Sequence, residues 1–112
     1  MTTEQFMILA QNRMQHCVTL MAGSKDADYT RNGDKFHNFK RAAQIANITP
    51  EQALKGMWLK HIVSIFDIID DIDQGKLPTQ EIINDKFTDM INYPALLEGL
   101  ITERRSSWEI SK

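Results

Sequence analysis

The chain has 112 residues, 42% of them hydrophobic and 25% charged, with 13 basic and 15 acidic side chains and a formal net charge of −2. That is an ordinary globular balance sized for one domain, and it removes the global electrostatic case for binding DNA or RNA. The single cysteine, Cys17, excludes an intramolecular disulfide and a cysteine-built zinc site, and reads as a buried thiol.

No run approaches the roughly 18 apolar residues of a membrane helix, and no basic segment leads into an apolar one as in a signal peptide. A cytoplasmic location is expected. Four helices of this length enclose only a thin core. Chains of this kind often complete their burial by pairing, so a homo-oligomer is expected.

The first helix is expected over Thr3–Ala22, with Phe6, Leu9, Ala10, Met14, Cys17, Val18 and Met21 at the spacing of one buried face. Thr2 or Thr3 can cap it, and Gly23 can end it in the left-handed conformation that glycine accepts cheaply. Residues Ser24 to Lys35 are polar and lack period. Their Asn32-Gly33 pair marks a tight turn, without the flanking alternation that two strands would show.

A second helix is expected over about Phe36–Ala46, capped by Asp34, with Phe36, Phe39, Ala43 and Ile45 or Ala46 inward. "NITPEQ" is a helix start: Thr49 at the cap, Pro50 at the first helical position, and Gln52 placed for a capping box. The third helix runs to about Ile72, with Leu54, Trp58, Ile62, Ile65, Ile69 and Ile72 on one stripe, widened by Val63 and Phe66. Gly75 closes it and Pro78 bars its continuation.

The fourth helix begins near Thr79 and carries Ile82, Ile83, Phe87, Met90, Ile91, Leu97 and Leu100. Pro94 lies inside that pattern and predicts a kink or break. Residues 105–112 read as a polar tail, apart from Trp108 and Ile110. Together these elements predict an all-α, four-helix bundle-like domain over residues 1–104.

On a wheel of about 100° per residue, Lys60, Ser64, Asp67 and Asp71 share one stripe of the third helix, with His61 beside it. Glu81, Asp85, Asp89 and Asn92 share another on the fourth helix, with Lys86 and Tyr93 alongside. Turned toward each other, the two edges would put acids, lysines and a histidine into one cleft. Asp67, Asp85 and Asp89 would then hold Mg²⁺, which favours oxygen ligands and would polarise a phosphoryl oxygen or activate water. The plainer alternative is a pair of solvated faces, since charges at this spacing occur on any amphipathic helix. For His61 the plain alternative is a satisfied, partly buried side chain. Asn38 can bond a base edge, and Lys35, Lys40 and Arg41 supply local positive charge for phosphate. Phe39 fits a core better than a stack.

The segments "NGDKFHNF", "ITPEQALKGMWLKHIVSIFD" and "DKFTDMINYPALLEGL" resemble a small phage-encoded all-α family of uncharacterised function, over about Tyr29 to Arg104. More distantly, the paired helices resemble the MazG-like nucleoside triphosphate pyrophosphohydrolases. Those carry a Glu-Glu-x-x-Glu cluster on one helix and a Glu-x-x-Asp pair on the next, bind Mg²⁺ and a triphosphate, and share their cleft between subunits. Asp89 matches the final Asp. Lys86 stands where the preceding Glu belongs, with Asp85 next to it, and the first cluster is replaced by Lys60, His61, Ser64 and Asp67.

The resemblance implies nucleotide handling, with hydrolysis of a nucleoside triphosphate to the monophosphate and pyrophosphate. In that reading Lys60, His61 and Asp89 are catalytic, and Asn38, Lys40, Lys86 and Tyr93 hold the nucleotide. Two alternatives stand beside it: a non-catalytic binder that sequesters a nucleotide or cyclic-nucleotide signal, and a plain protein-interaction bundle whose charged stripes face solvent.

Overall fold

The computed structural model describes residues 1–23 and 29–111, with side chains as far as 108. It is all-α, as expected, with four helices among the described residues: α1 (Thr3–Ala22), α2 (His37–Ala46), α3 (Pro50–Asp73) and α4 (Gln80–Ser111). Residues 24–28, the start of the expected polar loop, lie outside the described residues.

Local chemistry sets the boundaries. Thr2 and Gln5 make a complete capping box on α1. Thr49 Oγ1 accepts from the Gln52 amide at 3.2 Å, and Pro50 occupies the first turn of α3, where its missing N–H costs nothing. The end of α3 is a Schellman motif. Gly75, at φ 84°, donates to Ile72 O at 2.9 Å, and Lys76 donates to Asp71 O at 2.9 Å. Asn32 and Gly33 both have positive φ, 56° and 77°, and Arg31 and Asp34 exchange two backbone hydrogen bonds across them. That is the tight turn expected of an Asn-Gly pair.

Three details differ from expectation. Gly23 ends α1 at φ −115°, outside the left-handed region, so its value there is not positive-φ freedom. Asp34 does not cap α2. The cap position is Phe36, and Asp34 Oδ1 instead accepts from the Phe36 amide at 3.0 Å within the turn. Of the kink or break expected at Pro94, the break does not occur, and α4 continues past Arg104 to Ser111, so residues 105–111 extend the helix.

α3 and α4 pack antiparallel, with α2 against α3. The buried cluster is Phe39, Leu54, Tyr93, Leu96 and Leu100, flanked by Phe36, Met57 and Trp58. Phe36 lies so close to Gly99 that a Cβ there would meet its ring at 2.5 Å. α1 runs parallel to α4 and packs on that helix alone among the described elements. Arg13 donates to Thr88 Oγ1 at 2.9 Å and to Asn84 Oδ1 at 2.8 Å, and Cys17 Sγ sits 3.8 Å from Thr88 O. Burial pushes the Cys17 thiol above its ordinary range.

The expected buried faces are only partly buried. On α1 Cys17 alone is buried, while Phe6, Leu9, Met14 and Val18 are exposed. On α3 the residues Val63, Phe66, Ile69 and Ile72 are exposed, and on α2 so is Ile45.

Candidate functional site

The residues singled out for chemistry do not all meet. Three of them do, at the α3–α4 contact. His61 Nδ1 lies 3.7 Å from Asp89 Oδ2, a charge contact longer than a hydrogen bond. The His61 ring sits 4.9 Å from that of Tyr93, which is buried and makes an edge contact with Phe39; Phe39 in turn stacks on Tyr29. Trp58 Nε1 donates to Met90 Sδ at 3.3 Å one turn away. A row of aromatic rings thus ends on a histidine–carboxylate contact.

The others are elsewhere. Lys60, Asp67 and Asp85 are exposed, and Lys86 is half-buried. Among the described residues no group of three or more His, Cys, Asp or Glu side chains converges to hold a metal ion. Asn38 is exposed at the start of α2. Lys40 is already bound by two carboxylates, Asp34 at 2.8 Å and Glu103. The hydrogen bond from Lys40 holds the Asp34 carboxyl below its ordinary range, and Asp34 and Glu103 raise the Lys40 ammonium. This lysine ties the Asn-Gly turn to α4, a structural use of its charge. Glu103 was not legible as its partner because the contact spans 63 residues. Glu51 and Arg104 form a second long-range clamp, bidentate at 2.6 and 2.7 Å, which lowers the Glu51 carboxyl.

Two of the concave surfaces are apolar grooves. A groove of about 600 Å³ is floored on α4 by Ile83, Phe87 and Ile91 and walled by Phe6, Leu9 and Met14 of α1 and Ile68 and Ile72 of α3. It continues past Met14 and Ile91 into another of about 610 Å³, lined by Cys17, Val18, Met21, Phe36, Asn92 and Leu96. Of the charged residues singled out for nucleotide or metal, Lys35 lines the second groove, where it donates to Met21 O at 2.7 Å, and the others line neither. Asn92 is 3% exposed and makes no side-chain hydrogen bond among the described residues; the little surface it keeps is at its amide, which opens into the second groove.

No helix among the described residues is long and apolar enough to cross a membrane. Comparison with protein-family models, with curated proteins and with solved structures gave no match. The phage-type and MazG-like resemblance therefore rests on its short motifs, and the site is read from geometry.

Proposed function

We propose that this protein is a helical docking module whose working surface is the apolar face formed by α1, the second half of α3 and the first half of α4. One observation carries the reading. The chain exposes 8214 Å², about 1,900 Å² more than the roughly 6,300 Å² of a folded monomer of 12.9 kDa. Its radius of gyration, 16.6 Å, exceeds the about 13 Å of a compact chain of this length. Part of the excess is the projecting end of α4, and part is the open face. Isolated exposed apolar residues are normal, but a continuous apolar trough marks an interaction surface. Its three helical walls leave room for a fourth helix, the helix-in-groove mode of recognition.

The test is a variant with Phe66→Glu and Phe87→Glu, both at exposed positions, compared with the wild type. Light scattering reads self-association, and anisotropy of a labelled Leu/Lys amphipathic helix reads docking. The wild type is expected to associate in at least one of the two assays, and the variant in neither while keeping its helicity. A wild type silent in both overturns the reading.

A second reading is supported by the convergence of His61, Asp89 and Tyr93. It is a phosphorylated-ligand site of MazG-like type, with Mg²⁺ on Asp85 and Asp89 and a homo-oligomer supplying the missing wall. A histidine beside a carboxylate and an aromatic ring suits a nucleotide, and the exposed Lys60 lies next in sequence. A panel of nucleotides with Mg²⁺ tests it: a ligand at a hundred times its dissociation constant stabilises by about 2.7 kcal/mol. Pyrophosphate release would separate enzyme from binder, and no melting shift with any nucleotide removes the reading.

A further inference from the structure

We propose that the outer side of α3, turned away from the trough, pairs with the same side of a second copy of this chain, antiparallel about a twofold axis near Val63. The inference goes beyond the docking reading, because this pairing leaves the trough open to its own partner.

The pattern on α3 supplies the orientation. Leu59, Val63, Phe66 and Ile69 are 49%, 55%, 59% and 52% exposed and follow one another at intervals of three and four. They form a seam on the outside of a helix whose opposite side, at Ala53 and Leu54, is already buried. The seam has unlike ends. Lys55 lies at one, Asp70 and Asp73 at the other, and all three are exposed. Lys55 and Asp73 are separated by about five whole turns, roughly 27 Å, so they project from the same side. A parallel pairing would set acid against acid. An antiparallel pairing sets each Lys55 against Asp70 and Asp73 of the partner subunit, twice by symmetry, and centres the seam on Val63. A twofold interface of this kind is self-complementary, as one sequence requires.

Sedimentation equilibrium and cysteine cross-linking test the proposal on the full chain. The wild type is expected to be a dimer, and Val63→Cys to oxidise to a disulfide-linked dimer. Cys17 is buried and stays out of that reaction, so the wild type gives no link under the same conditions. Lys55→Glu is expected to weaken the dimer about tenfold at low salt, and adding Asp70→Lys and Asp73→Lys to restore it to within about threefold. A wild type that stays monomeric to about 100 µM overturns the proposal. If that monomer still binds the labelled helix, the docking reading survives. A dimer in which Val63→Cys does not cross-link, or in which the charge reversal fails to restore affinity, overturns the antiparallel seating.

Discussion

The two ends of the molecule are built from the same helices and the same kinds of residue, yet one is closed and the other is open. At the closed end α2, the first half of α3 and the second half of α4 bury Phe39 and Leu54 completely and leave Tyr93, Leu96 and Leu100 at 5% exposure or less. Lys40 and Arg104 clamp its edges. At the open end α1 leans on α4 alone among the described helices, and Phe6, Phe66 and Ile69 stand more than half exposed. The lesson is that an apolar stripe specifies that a face will be covered and leaves unstated whether the cover belongs to the same chain. Three experiments probe that contrast.

The largest expected effect is a pair of identical truncations placed at the two ends. Phe39→Ala empties a fully buried site that stacks on Tyr29 and meets Tyr93, so it should cost about 3–5 kcal/mol and come close to unfolding the chain. Phe66→Ala removes the same atoms from a position 59% exposed. Chemical denaturation at low concentration should find it within about 0.5 kcal/mol of the wild type, while its destabilisation should grow with protein concentration as the dimer populates. Equal losses at both sites in dilute protein would mean that the open end is closed within one chain.

At the boundary between the two ends, Asn92 is buried in an apolar groove with an amide that no described residue serves. Asn92→Leu keeps the shape and sets an apolar side chain among the apolar residues of the groove, so thermal unfolding should show about 1 kcal/mol of stabilisation. A loss of similar size would instead show that the amide is satisfied in the assembled protein, which would extend the buried interface to the second groove.

The fold was legible wherever local chemistry sets a boundary: Thr49-Pro50, Gly75 before Pro78, and Asn32-Gly33 all sit where their conformational preferences place them. Burial was less legible. Val63 and Phe66 read as a widening of one inward stripe, but α4 covers only part of that width, and period alone cannot divide a face between two partners. For the site, the wheel placed His61, Asp89 and Tyr93 near one helix contact because i, i+4 neighbours share a side. It could not see that Lys40 is taken up by Asp34 and Glu103, since Glu103 arrives from the far end of α4. Nor could it tell which charged edge faces solvent, because that depends on how helices rotate against one another in packing.

The smallest effect sharpens the closed end. The Asp34 carboxyl is held below its ordinary value of 3.8, chiefly by the hydrogen bond from Lys40 and then by the Phe36 amide. A lowered folded-state value means that the unfolded chain binds the proton more readily, so this contact stabilises above pH 3.8 and is lost as the pH falls through the folded-state value. The side chain is 36% exposed, and screening holds the contribution below about 1 kcal/mol. Denaturation midpoints taken between pH 6 and pH 3 should therefore fall, and Asp34→Asn should flatten part of that fall while lowering the neutral-pH midpoint. The same titration should leave a variant at the open end, Phe66→Ala, parallel to the wild type in dilute protein, because the lysine clamp belongs to the closed end. A pH profile unchanged by Asp34→Asn would mean that the turn contributes nothing to holding α2 against α4, and the closed end would then rest on its apolar cluster and on the Glu51–Arg104 clamp.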